Sequence, residues 1–350
     1  MSSSLCHADL SAVVAAMPKV ELHVHVEGSM RPETFLRLVR KHHLDLGVRT
    51  EAEVRELFRF RDFAHFLDLY ERCTAAIREP DDISLITYEL GLRAHGQNVR
   101  YLEATYSPGP RYRGRGIPYD EQLDALSRAA DRVLADTGVR MRFVLDHVRG
   151  EPLDECHEVA AMCVAGARTG AVVGLGLGGF EPGRPASLFA EAIRYATANG
   201  VAFVPHAGEA VGPEGIWDCL EFGPARIGHG IRAADDPDLL AVLRDRRIPL
   251  EVCPTSNLCT GTVRDLREHP LRRLWEAGVP VTVNTDDPSM FHTDLTDEHR
   301  LAVTHFGFSV AELAEMTLAG ADSALLPEPD RHDLGRRLRA ELAEFRVSAH

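Results

Sequence analysis

Lys19-Val-Glu-Leu-His-Val-His-Val-Glu-Gly28 is the first strand-like run of the chain, and it carries two histidines one residue apart near its end. Side chains in a strand alternate between two faces, so Glu21, His23, His25 and Glu27 share one face while Val20, Leu22, Val24 and Val26 share the other. Two imidazoles and two carboxylates side by side are costly to bury unpartnered, and a metal ion is the simplest occupant that satisfies them. An isolated H-x-H also occurs at ordinary solvated strand edges. What the chain places at the ends of its other apolar runs separates the two readings.

Short runs rich in Val, Ile and Leu recur eight times, at 20–26, 99–106, 139–148, 171–177, 201–206, 226–231, 248–253 and 279–285. Between them lie segments with Ala, Leu, Arg and Glu at helical spacing. Strand alternating with helix eight times predicts an α/β chain folded as one parallel (β/α)8 TIM-type barrel; an open doubly wound sheet is the alternative architecture. Residues 30–98 read as several helices after the first strand, one starting at Pro32, which suits a first turn. Another spans 60–77, with Phe63, Phe66, Leu67 and Tyr70 on one stripe that either packs on the barrel or forms a lid over its mouth. Residues 297–350 read as closing helices.

Catalytic groups of such barrels sit at the C-terminal ends of the strands. Here the first strand ends in His23, His25 and Glu27, the fifth in Pro205-His-Ala-Gly-Glu209, the sixth in Gly228-His-Gly230 and the eighth in Asn284-Thr-Asp-Asp-Pro288. Only a closed barrel brings these ends to one point. Imidazole nitrogens with a carboxylate oxygen suit zinc, so His23, His25, His206 and Asp286 are the expected ligands of one ion per subunit, with a coordination position left for water. Zinc brings the pKa of such a water to about 7. His229, between two glycines, is placed to orient that water and take its proton. Glu209 is placed to donate a proton to a substrate ring nitrogen, which requires a raised pKa. Asp287 is placed to hydrogen-bond the substrate, or else caps the turn before Pro288.

Other chemistries fit less well. The chain has only two lysines, Lys19 and Lys41, so strand four cannot supply the carboxylated lysine that bridges two metals in many H-x-H barrels. His25-Val-Glu27 lacks the P-C-x-x-C that completes the cytidine-deaminase pattern. Gly174-Leu-Gly-Leu-Gly-Gly179 is not followed by Lys-Ser/Thr, so it is no phosphate loop. At 350 residues, with 45% hydrophobic and 26% charged residues, the chain has ordinary globular composition. A formal charge of −14 disfavours nucleic acid and anionic membrane surfaces and points to a small-molecule partner. The seven cysteines, Cys6, Cys73, Cys156, Cys163, Cys219, Cys253 and Cys259, form no C-x-x-C pair, which suits a reducing cytoplasm. The apolar stretch at 12–17 is too short for a signal segment. The sequence leaves the oligomeric state open.

With these residues assembled, the chain resembles the adenosine deaminase family. The matching segments are Pro18-Lys-Val-Glu-Leu-His-Val-His-Val-Glu-Gly28, Pro205-His-Ala-Gly-Glu209, Ile227-Gly-His-Gly230, Glu251-Val-Cys-Pro-Thr-Ser-Asn257 and Val283-Asn-Thr-Asp-Asp-Pro288, in family order over nearly the whole chain. The resemblance implies one metal-dependent hydrolase barrel over 1–350, with 30–98 forming a lid. The implied reaction is hydrolytic removal of the 6-amino group of an adenine ring. His23, His25, His206 and Asp286 then hold zinc, Glu209 donates to purine N1, His229 orients the hydroxide and Asp287 bonds N7. It adds His25, Glu27, Gly179, Phe63 and Phe66 to Asp287 as substrate contacts, Gly179 through a backbone amide toward N3 where only glycine permits close approach.

Two departures concern the sugar side. Glu27 stands where adenosine deaminases proper carry Asp, and the family's two strand-four aspartates correspond to Gly176 and Phe180. The expected substrate is therefore a 6-aminopurine nucleoside, adenosine or a 5′-modified adenosine, with adenine or aminodeoxyfutalosine as alternatives. An inactive purine-binding protein on the same barrel is the alternative from another class.

Overall fold

The computed structural model describes residues 7–347, so Cys6 lies outside them. Eight parallel strands run β1 (Lys19–His25), β2 (Val99–Tyr106), β3 (Arg140–Val148), β4 (Val172–Gly178), β5 (Ala202–Ala207), β6 (Ile227–His229), β7 (Leu250–Val252) and β8 (Val281–Val283). Each pairs with its successor in sequence. The seam between β8 and β1 is carried by a parallel bridge from Val24 to Asp286, in which the His25 amide donates to the Asp286 carbonyl at 2.7 Å and the Asp286 amide to the His23 carbonyl at 3.0 Å. Helices surround the strands, giving the (β/α)8 barrel. The line that closes the barrel runs through the residues expected to bind metal.

The strand residues are Val-, Ile- and Leu-rich and buried on both faces, as parallel strands covered by helices require. The three last strands are shorter than the sequence predicts. At the end of β6, His229 takes left-handed backbone with φ of 58°; Asp286, three residues past the end of β8, does the same with φ of 64° while still bridging to β1. A bulge between Glu21 and Val24 similarly shifts the register of β1 on β2 around His23.

Four helices occupy 30–98: Pro32–Lys41, Glu51–Leu57, Phe63–Thr74 and Pro80–Gly96. Pro32 opens the first, and the Asp62 carboxylate accepts from the His65 amide at 2.8 Å to cap the third. After β8 come Leu295–Thr304, Val310–Ser323 and Glu328–Val347. The stretch around 12–17 lies mainly in the helix His7–Ala16, with Val14 and Met17 buried in the core. Among the described residues no helix is long and apolar enough to cross a membrane, and Cys73, Cys156, Cys163, Cys219, Cys253 and Cys259 are all free thiols.

Candidate active site

The ends of β1, β5, β6 and β8 deliver imidazoles and a carboxylate to one buried point. His25 Nε2 lies 3.1 Å from His206 Nε2 and 3.2 Å from Asp286 Oδ1. His23 Nε2 lies 3.4 Å from that same oxygen, and His229 Nε2 lies 3.8 Å from Asp286 Oδ2. His23 Nε2 is buried with no hydrogen-bond partner. One ligand atom from each of His23, His206, His229 and Asp286 falls within 4.8 Å of all the others, and His25 forms overlapping sets with Asp286 and Asp287 and with Asp146 and His206. Two ligands of one ion at about 2.0–2.1 Å stand roughly 3.3 Å apart, so these spacings fit a divalent metal held by nitrogen and carboxylate donors.

Partners fix each donor. His23 Nδ1 sits 2.9 Å from Glu251 Oε2, and Ser256 Oγ donates to Asp286 Oδ2 at 2.6 Å. Arg226 donates through Nε to Glu251 Oε1 at 2.5 Å and through Nη2 to Glu103 Oε2 at 2.5 Å, so a charge-paired chain runs from β2 to the first histidine. Asn257 Nδ2 approaches His229 Nδ1 at 3.3 Å. The loop carrying Glu209 is held by Glu181, whose carboxylate accepts the amides of Gly208, Glu209 and Ala210 at 2.9, 3.0 and 2.8 Å.

The electrostatics separate the acids. Burial, with Asp286 and Glu181 nearby, pushes the Glu209 carboxyl well above the usual range, the direction that favours its protonated form. Burial and the Asp286 charge raise Asp287 likewise. Burial would raise Asp286 as well, but bonds to His23 and His25 outweigh it and hold that carboxylate ionised. Burial lowers His229 to about 3, leaving a neutral imidazole 3.6 Å from Glu209 Oε2.

A cavity of about 290 Å³ opens on these groups. Its wall includes His25, Phe63, Phe66, Leu67, Tyr70, Gly179, Glu209, His229 and Asp287, all of them flagged by the sequence. Gly179 has φ 80°, so a side chain there would be strained as well as obstructive. Glu27 is not on this wall. Its Oε1 accepts the Ser107 amide at 3.0 Å and pairs with Arg111 Nη2 at 3.1 Å. The cavity wall instead carries Arg111 itself, together with Asp146 and Arg184.

Sequence reading assigned no role to Glu251, Glu181 or Asp146. A signal for Glu251 exists, an acid inside the apolar run 248–253, and Asp146 likewise interrupts 139–148. Glu181 sits in a glycine-rich turn and had no such mark.

The adenosine deaminase family model matches residues 18–341. An aminodeoxyfutalosine deaminase of Streptomyces coelicolor is 41% identical over 326 residues, covering 92% of this chain and 84% of the relative. An adenine deaminase of Rhizobium meliloti is 35% identical over 329 residues, covering 92% of this chain and 98% of the relative. The crystal structure of an amidohydrolase from Burkholderia ambifaria, with bound Zn, superposes with a TM-score of 0.90 at 28% identity, covering 100% of this chain and 96% of that one.

Proposed function

The chain belongs to the adenosine deaminase family and is an aminohydrolase acting on a 6-aminopurine; from that premise we propose that its substrate is a 6-aminopurine nucleoside and its metal a single zinc ion. The observation that carries the proposal is the meeting of His23, His25, His206 and Asp286 beside a cavity whose wall also holds Glu209, its carboxyl raised by burial, and a neutral His229. Within the nucleosides the reading favours adenosine altered at its 5′ end. Glu27, at the family's ribose-contacting position, is tied to Arg111 and the Ser107 amide instead of lining the cavity. The 41% identical relative, an aminodeoxyfutalosine deaminase, makes that compound the first 5′-modified candidate, and the 35% identical adenine deaminase keeps the free base as the second reading.

His23, His25, His206 and Asp286 would hold zinc, which supplies Lewis acidity that makes water acidic at neutral pH. Glu209 gives its proton to N1 of the ring, drawing electron density from C6. His229, uncharged and held at Nδ1 by the Asn257 amide group, turns Nε2 toward Glu209 and Asp286 and orients the attacking water. Asp287, whose carboxyl is raised by burial and the Asp286 charge, offers its proton to N7, an acceptor, and the Gly179 amide donates to N3. Water adds at C6, one of its protons passes to the 6-amino group, which leaves as ammonia, and the other returns to Glu209, giving the 6-oxopurine with N1 protonated. Phe63 and Phe66 form part of the helical lid and cover the 5′ side. The free thiols support a reducing, cytoplasmic setting.

The test compares adenine, adenosine and 5′-substituted adenosines by kcat/KM, following ammonia and the purine absorbance. We expect turnover that falls about 10²–10⁴-fold in Glu209→Gln with metal retained, the size of a lost proton donor. Full activity in that variant removes Glu209 from its role. A metal-loaded protein that binds purines and releases no ammonia overturns the proposal in favour of a silent binding protein.

A further inference from the structure

We propose that Asp146 is a positioning residue for the metal ligand His206, holding its imidazole from β3 in a volume that two glycines of β4 leave open. The inference rests on the metal site proposed above. Asp146 is 1% exposed and lines the cavity, with Oδ2 3.7 Å from His206 Nδ1. Neither carboxylate oxygen of Asp146, nor His206 Nδ1, has a hydrogen-bond partner. A histidine that offers Nε2 to a metal carries its proton on Nδ1, and that proton needs an acceptor to fix the tautomer and ring. For His23 the acceptor is Glu251 at 2.9 Å. For His206 the carboxylate facing Nδ1 is Asp146; the pair is an electrostatic contact that becomes a hydrogen bond on shortening to about 3 Å.

The surroundings leave the ring of His206 little else to depend on. Arg149, just past the end of β3 and also buried, donates to the His206 carbonyl at 2.7 Å and to the Leu177 carbonyl at 3.1 Å. The main chain of the ligand is thereby pinned, and rotation of its side chain is the freedom that remains. In the β3–β4 register Asp146 stands opposite Gly176, and Val148 opposite Gly178. A Cβ at either glycine would overlap the Asp146 carboxylate. A side chain at 176 and the carboxylate at 146 are therefore alternatives for one space, which gives a reciprocal test.

Asp146→Asn, Asp146→Gly, Gly176→Asp and the Asp146→Gly/Gly176→Asp exchange are stripped of metal, reloaded with one equivalent of zinc, and challenged with a chromophoric chelator. Circular dichroism and melting of the metal-free forms establish that each is folded. We expect zinc to leave Asp146→Gly about 10–100-fold faster than wild type, in line with loss of an outer partner of a ligand. Asp146→Asn, which keeps an acceptor without the charge, falls between. Gly176→Asp alone loosens zinc by crowding Asp146, and the exchange recovers most of what either single change loses. The proposal is overturned if folded Asp146 variants hold zinc as wild type does, or if they raise KM for the purine while zinc release is unchanged, which would make Asp146 a substrate contact. Wild-type protein that takes up no zinc overturns the metal reading itself, an outcome separate from unchanged release in the variants.

Discussion

At the scale of single residues, the site depends on side chains held where their backbone is unfavourable. His229 and Asp286 both adopt positive φ, a conformation costing on the order of 1–3 kcal/mol for a residue with a side chain. The neighbouring Gly28 shows how little room remains, since a Cβ there would overlap the Asp287 carboxylate. On the proposed role of Asp287, Gly28→Ala displaces the group that bonds the purine, and we expect kcat/KM to fall by about 10²-fold, the usual result of an ångström-scale misplacement. Steady-state kinetics beside a thermal melt checks this; unchanged kinetics in a folded variant would detach Asp287 from catalysis. The donors themselves were legible because H-x-H, P-H-A-G-E, G-H-G and N-T-D-D are local patterns at strand ends. The role of Glu27 was not, because its partner Arg111 lies 84 positions away in the chain.

Among the elements, those beyond β8 contribute a pH dependence. Glu298, in the helix Leu295–Thr304, accepts from the Thr293 hydroxyl at 2.5 Å and the Thr255 amide at 3.2 Å. Burial raises its carboxyl from 4.5 to about 7. The folded chain thus keeps a proton that the unfolded chain releases near 4.5. The stability that Glu298 contributes is fully present below that value and is lost as pH rises to about 7, above which its contribution no longer changes. Glu298→Gln removes that decline, on the order of a few kcal/mol. Urea midpoints at about pH 5 and about pH 8 measure it, and an equal decline in both proteins would refute the assignment. The strands and their order were readable from short apolar runs rich in Val, Ile and Leu that alternate with helical segments. Their ends were less so, because β6 stops at His229, where the backbone turns left-handed, and β8 stops at Val283, three residues short of Asp286.

Across the whole molecule, one buried ion network ties the barrel to its closing helices. Arg226 bonds Glu103 on β2 and Glu251 on β7, and its Nη1 donates to the Ser323 carbonyl at 2.8 Å, while Glu103 also accepts the Leu325 amide at 2.6 Å. Arg226→Met would strand two buried carboxylates, and we expect a loss of about 3–5 kcal/mol, read from the urea midpoint. A midpoint within experimental scatter of wild type would show the network to be dispensable. The sequence by itself determined the barrel, the kinds of donor atom and the strand ends that carry them, because periodicity and side-chain chemistry are local properties. Only the tertiary structure decided which buried acid faces which histidine: Glu251 meets His23 across 228 positions, and Asp146 faces His206 across the gap left by Gly176 and Gly178. Barrel closure and the register of neighbouring strands set those pairings, and neither is written in any short stretch of the chain.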